Sequence, residues 1–161
     1  GIGYDASVIH SLDPRLVRTL GGVPAHIISG MREFIRYHGI ELSVTIDGCS
    51  CRGFQAIICN GSFYGISSKI VPEADIADGY LDIILFKNGK KRDILRYVLA
   101  IFLERHLHFK DVEHTRAKKI EIDAAGEVWI QVDGETMGTL PQRFEVYPQA
   151  LQVILPKKKF A

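Results

Sequence analysis

Most of the patterns that announce a function at sight are missing from these 161 residues. There is no Gly-x-x-x-x-Gly-Lys-Ser/Thr loop and no Gly-x-Gly-x-x-Gly turn, so the chain by itself has no recognisable cradle for phosphate. Ser67-Ser68 is not set in a Gly-x-Ser-x-Gly elbow, and no ordered acid and histidine complete a triad with it, which leaves hydrolase chemistry unsupported. The six histidines include no His-x-x-x-His pair. Cys49-Ser-Cys51 lacks the two-residue spacer of zinc pairs, and Cys59 stands alone. Three cysteines cannot pair fully and no secretory signal precedes them, which points to a reduced, cytoplasmic setting. Charge of one sign is also missing. The net of +1 excludes a strong global pull towards nucleic acid or anionic lipid. Only the terminal Lys157-Lys158-Lys159 clusters, and that reads as a solvated end. The longest apolar run, Ile94 to Phe102, is interrupted by Arg96, and neither repeats nor low-complexity segments occur.

What is present suits one domain with its own core. Nearly half the residues are apolar and about a quarter charged. Pro14 to Tyr37 has helical spacing through Leu16, Val17, Leu20, Ile27, Ile28, Met31, Phe34 and Ile35. Gly21-Gly22 and Pro24 break that spacing into a short helix, a kink and a longer helix. Asp93 to Leu103 reads as an amphipathic helix with Ile94, Leu95, Val98, Leu99, Phe102 and Leu103 on one side. Alternation predicts strands at Glu41 to Asp47, Lys119 to Asp123, Val128 to Val132 and Leu151 to Leu155, while Phe54 to Cys59 and Leu81 to Phe86 are more uniformly apolar. The opening Gly1-Ile-Gly-Tyr-Asp-Ala6 reads as strand and turn, not as a leader, and the chain is expected to be a fragment of a longer protein. Because the strands come in consecutive runs, a mainly β, α+β fold is expected: an antiparallel β-sandwich over residues 1–161 carrying about two helices.

Two stretches concentrate acidic residues beside a glycine. In Val128 to Gly138, Asp133-Gly134 lies between two alternating strands, the strongest short signal for a hairpin. A plain turn with a solvated Glu135 and a rigid turn presenting Glu135 to a substrate hydroxyl as a general base both fit it. The other stretch is Asp75-Ile-Ala-Asp78-Gly79-Tyr80 with Glu73 and Asp82, at the end of a long irregular segment, Asn60 to Tyr80. Loops of that length in a compact domain tend to be functional. One or two carboxylates with backbone carbonyls satisfy magnesium, while a polar turn ahead of a strand needs no ion.

In order along the chain, Gly3-Tyr-Asp-Ala6, Asn60-Gly61, Pro72, Ala74, Asp78-Gly79-x-Leu81-Asp82, Val132-Asp-Gly-Glu135, Gly138, Pro141 and Glu145-Val-x-Pro-x-Ala-Leu-x-Val153 with Pro156 resemble the C-terminal half of the diacylglycerol kinase and sphingosine kinase type of lipid kinase. The resemblance covers nearly the whole chain. It implies the C-terminal domain of a two-domain enzyme whose other half, marked by Gly-Gly-Asp-Gly-Thr, binds ATP and is not in this sequence. It also implies that Glu135 activates the lipid hydroxyl for attack on the γ-phosphate of ATP. A magnesium ion would be held by Asp78 with backbone oxygens around Asp75 and Tyr80, and a second magnesium would travel with ATP. Expected partners are a lipid substrate at the membrane surface and ATP, without nucleic acid, and a homodimer is left open. The setting would be cytoplasmic with peripheral membrane association. Diacylglycerol is the expected acceptor, with sphingoid base or phosphatidylglycerol as alternatives, and a non-catalytic lipid-binding module or a NAD kinase as more distant ones. The chain departs from bacterial members at Gly65-Ile66-Ser67, where they carry a glycine run.

Overall fold

The structure, a computed structural model, describes residues 1–65, 68–152 and 154. Asp13 caps α2 (Pro14–Leu20) by accepting the Arg15 N–H at 2.8 Å, and Pro14 opens the helix where its missing N–H costs nothing. Gly21, at φ 84°, ends α2 and leads into α3 (Gly22–Arg36), so the Gly-Gly pair is the kink its sequence suggests. The first residues differ from expectation. Ile2 does pair as a strand residue, but Gly3 at φ 102° turns the chain into α1 (Tyr4–His10). Only glycine takes that φ readily, so the strand stops after one residue and a helix follows.

The strands are β1 (Leu42–Ile46), β2 (Cys49–Gly53), β3 (Gln55–Cys59), β4 (Phe63–Tyr64), β5 (Ser68–Lys69), β6 (Leu81–Phe86), β7 (Val112–Ala117), β8 (Lys119–Ala124), β9 (Trp129–Val132), β10 (Glu135–Thr139) and β11 (Gln142–Glu145). Helix α4 (Lys91–Phe102) and a single 3-10 turn, His106–His108, separate β6 from β7. Every pairing of these strands is antiparallel. One main sheet runs β11-β8-β1-β2, the other contains β3-β6-β7 and the β9-β10 hairpin, and β4 and β5 pair apart from both. Ile2 is the seam that joins β3 to β9, bridging Ala56 on one side and Ile130 on the other. The Ile2 N–H donates to the Ala56 carbonyl at 2.8 Å and the Ala56 N–H returns at 3.1 Å.

Between the sheets lies the main core. Leu42, Val44, Ile120 and Ile122 from one sheet meet Ala56, Ile83, Leu85, Ala117 and Ile130 from the other, with Ile2 among them. A second core covers the outer face of β6, where Ile57, Ile84, Phe86 and Val112 pack with Ile70, Val71 and Tyr97. The strand β6 is therefore buried on both faces, which explains its uniformly apolar run.

Helix α4 turns a different face inward from the one its apolar spacing suggested. Ile94, Tyr97 and Ala100 are buried, whereas Leu95, Leu99, Phe102 and Leu103 are exposed. Tyr97 decides the rotation. Its ring sits 4.8 Å from that of Phe86, and its hydroxyl donates to Asp111 at 2.6 Å, so a residue with a polar tip fills the centre of the face. Helix α3 likewise packs through small residues. Ala25 and Ser29 are buried, and the Gly30 carbonyl accepts the Tyr4 hydroxyl of α1 at 2.7 Å. Val23, Ile27, Met31 and Ile35, one turn apart, are left exposed. Of the strand expected at Leu151 to Leu155, Val153 and Leu155 lie outside the described residues, and Leu151, Gln152 and Ile154 are irregular.

One buried histidine gives the fold a pH dependence. The Nε2 of His106 donates to the Ile70 carbonyl at 2.7 Å, and burial pushes its pKa below the ordinary 6.5. Between the two values the unfolded chain binds a proton that the folded chain does not. The contribution is thus complete above about pH 6.5 and is lost as pH falls through the folded value. Melting temperatures measured from pH 7.5 down to 5 should fall less steeply in His106→Gln than in the unaltered chain. Parallel curves would show that other groups set the dependence.

Candidate functional site

The β9–β10 hairpin closes through Asp133 at φ 51° and Gly134 at φ 87°. Positive φ at both central residues is the primed turn whose twist matches antiparallel strands, and Asp-Gly is the pair that enters it at least cost. Glu135 follows at once as the first residue of β10, opposite Val132. It is exposed, and among the described residues its carboxylate has no hydrogen-bond or ion-pair partner.

Beneath this turn lies a group of polar side chains that sequence reasoning did not assemble. Gln131 is only 7 % exposed. Its Oε1 accepts the Gly134 N–H at 3.0 Å, and its Nε2 donates to Asp5 Oδ2 at 3.0 Å and to the Tyr64 hydroxyl at 3.1 Å. The Tyr64 hydroxyl donates in turn to Asp5 Oδ2. Burial, reinforced by the Asp5 carboxylate, pushes the Tyr64 phenol well above its usual range, so it remains a donor. Trp129, next but one along β9, stacks on the His10 imidazole with ring centroids 3.5 Å apart.

The second candidate group forms where the long segment from Asn60 returns to β6. Asp75 Oδ1 accepts the Ala77 N–H at 2.9 Å and Asp78 Oδ1 accepts the Tyr80 N–H at 2.8 Å, two side chains shaping their own turn, with Gly79 at φ 76°. The other Asp78 oxygen pairs with Arg116 of β7, whose guanidinium lies 4.7 Å from the centre of the Tyr80 ring. Asp82 does not join this turn. It is buried in β6, where its carboxylate accepts from His114 Nε2 at 2.6 Å, and Cys59 and Arg116 flank it across the sheet. The Cys59 thiol is pushed up to about 11, by burial first and the Asp82 carboxylate second.

Asp75, Asp78 and Tyr80 thus fall into one turn, while no hydrogen bond or ion pair joins Glu135 to them among the described residues. No three His, Cys, Asp or Glu side chains gather to hold a metal among the described residues. Magnesium does not require that. Asp78 as one hard carboxylate, with the Asp75 and Tyr80 carbonyls and water, is chemistry the ion accepts, though the Asp75 carbonyl also receives the Asp78 N–H at 3.3 Å. Arg116 and the ion would compete for the same carboxylate. Two clefts stand out elsewhere: about 200 Å³ between α1, α3 and β9, lined by Ser7, Glu33, Arg36 and Trp129, and about 530 Å³ over the outer face of β1 and β8. Neither touches Glu135 or Asp78. No helix among the described residues is long and apolar enough to cross a membrane.

Residues 1–155 match the model of the family described as YegS C-terminal NAD kinase beta sandwich-like domain. Among curated proteins, one named probable lipid kinase YegS-like from Shewanella frigidimarina is 31% identical over 156 residues, 96% of this chain and 50% of its own length. A diacylglycerol kinase of Bacillus subtilis is 23% identical over 150 residues, 91% of this chain and 49% of its own. A solved diacylglycerol kinase structure from Bacillus anthracis superposes with a TM-score of 0.57 at 23% identity, covering 84% of this chain and 47% of that one, a likeness of fold. The chain spans about half the length of the curated relatives it matches.

Proposed function

Since the chain belongs to the YegS C-terminal NAD kinase beta sandwich-like family, whose relatives named above are lipid kinases, we propose that it is the lipid-side domain of a two-domain lipid kinase. The reaction proposed is transfer of the γ-phosphoryl group of ATP to the hydroxyl of diacylglycerol, giving phosphatidic acid. The observation that carries it is Glu135, an exposed carboxylate without a partner among the described residues, set on a two-residue turn that is tied from below. The lipid oxygen forms a bond to the γ-phosphorus, the bond from that phosphorus to the β–γ bridging oxygen breaks, and the hydroxyl proton passes to a Glu135 oxygen. Magnesium, when bound, would supply charge neutralisation and order. Asp78, with the carbonyls of Asp75 and Tyr80, would hold it, and Arg116 keeps the Asp78 charge matched otherwise. Phosphoryl transfer depends more on positioning and electrostatics than on covalent participation, so one base on a stiff hairpin is a sufficient contribution from this half.

The lipid end of the reading is supported by α3. Val23, Ile27, Met31 and Ile35 make an exposed apolar row on α3, which also carries the exposed Arg32 and Arg36, and the preceding α2 carries the exposed Arg15 and Arg18. The one acid of α3, Glu33, is half-buried near Tyr4 and Tyr37. An apolar row on helices that also expose arginines suits the interfacial region of an anionic bilayer and supports peripheral membrane association.

The test is phosphate transfer from labelled ATP with magnesium, using the full-length protein that carries this domain and a panel of hydroxyl lipids in mixed micelles. Sedimentation with phosphatidylglycerol-containing vesicles accompanies it. Labelled phosphatidic acid is expected from the full-length protein and none from the 161-residue chain alone. Ile27→Glu with Met31→Glu should weaken sedimentation. Product from a sphingoid base or phosphatidylglycerol alone would replace the acceptor. No product from any lipid with ATP bound would leave a lipid-binding module without catalysis.

A further inference from the structure

We propose that Tyr64 and Gln131, closed by Asp5, are positioning residues that lock the Asp133-Gly134 turn and so aim the Glu135 carboxylate. The inference rests on the reading of Glu135 as the base. A two-residue turn fixes the path of the backbone, but a hairpin with an exposed tip still flexes as a unit, and general-base catalysis needs the carboxylate within hydrogen-bond reach of the hydroxyl proton. Here the turn is held by a side chain of its own β9 that is in turn tied to two other elements. The Gly134 N–H, at the turn's second central residue, is bonded to a side-chain amide that lies in the interior. That amide cannot rotate, because both of its ends are used. Its oxygen is committed to Gly134, and its nitrogen to the Asp5 carboxylate and the Tyr64 hydroxyl.

The two anchors come from distant parts of the chain. Asp5 is in the first turn of α1, and Tyr64 is in β4, near the start of the segment that ends in the Asp78 turn. Tyr64 satisfies the geometry twice, accepting from Gln131 and donating to Asp5, which a phenylalanine of the same shape cannot do. A buried polar group of this kind is rigid only when every member is paired, so loss of the one hydroxyl should loosen the turn without opening the apolar core. The proposal also gives Asn60 to Tyr80 a second duty. One end shapes the candidate ion site and the other braces the base, so displacement of this segment would be felt at both.

Tyr64→Phe deletes a single oxygen and is the principal variant. Gln131→Glu, alone and with Asp5→Asn, is the charge-exchanged partner, since the amide that Asp5→Asn introduces would donate where the carboxylate accepted. In the full-length protein, amide exchange at Gly134 should quicken by about 10-fold or more in Tyr64→Phe, with the amides of β6 unchanged as the measure of an intact fold. The kcat for lipid phosphorylation should fall by about 10-fold with the KM for ATP unaltered, and Gln131→Glu should recover part of its loss when Asp5→Asn is added. In a Glu135→Ala background, Tyr64→Phe should cause no further fall, because there is no base left to aim. Unchanged exchange at Gly134, or an equal fall in the Glu135→Ala background, would overturn the positioning role while leaving the base in place. Full activity of Glu135→Ala would overturn the base reading and the positioning role with it.

Discussion

Glu135→Ala in the full-length protein is expected to lower phosphate transfer to lipid by about 10²-fold or more, the range for loss of a general base. That corresponds to roughly 2.7 kcal/mol of transition-state stabilisation. The loss should fall on kcat, since the proton moves only as the new bond forms. Glu135→Gln is the sharper variant. It keeps the length and shape of the side chain and loses only the ability to take a proton, so it should be as slow as alanine. The fold should not register either change, because the residue is exposed and no described neighbour depends on its carboxylate. A fall of less than about 3-fold in either variant, with melting unchanged, would remove the proton-transfer role and leave Glu135 a solvated turn residue.

The largest stability effect should come from Phe86→Ala, at about 3–5 kcal/mol. Phe86 is 1 % exposed on the outer face of β6, against the Tyr97 ring and beside Ile57, Ile84 and Val112. Removing the ring strands Tyr97, whose hydroxyl is tied to Asp111 and whose ring therefore cannot drop into the space. For a domain with a total stability of about 5–15 kcal/mol, that is about a fifth of the whole or more. Ile84→Val, one methylene smaller on the same face, should cost only about 0.5–1.5 kcal/mol. Urea unfolding of both variants checks this, the midpoint moving with the slope unaltered. A Phe86→Ala loss no larger than that of Ile84→Val would mean that α4 settles onto the sheet and fills the gap.

How legible these features were depended on how far apart their makers lie. Strands β1, β8 and β9 could be read because alternation is local, and their sandwich followed from their consecutive order. The Asp133-Gly134 turn was equally plain, and it takes positive φ at both residues. Helix α4 was visible as a helix, but its inward face was not. Leu95 and Leu99 outrank Tyr97 in apolarity, and only the distant Asp111 makes the tyrosine the better core residue. Helix α1 was hidden behind Gly3, whose conformation is a property of the fold around it. Among the acidic residues near Gly79, Asp75 and Asp78 do share one turn with Tyr80. Asp82 lies instead in the strand expected at Leu81 to Phe86, where its partner is His114, 32 positions on. The support beneath the Asp133-Gly134 turn was least legible of all. Gln131 meets Asp5 across 126 positions and Tyr64 across 67, and no local pattern records such a meeting.

The seam at Ile2 sets an order of events during synthesis. The residue that joins the two parts of the sheet leaves the ribosome ahead of nearly all the others here, while Ile130 is among the later ones. At about 5–20 residues per second, the interval is on the order of ten seconds. The hairpin-linked strands β1 and β2 can pair early and β3 can pair with β6, but until β9 arrives the Ala56 side of β3 offers at most one short bridge, and a single bridged residue holds little alone. The nascent domain therefore carries an open strand edge until its last quarter is made. Such an edge invites pairing with other chains. Slowing translation upstream of Val128 should prolong that exposure and raise the share of newly made protein that aggregates.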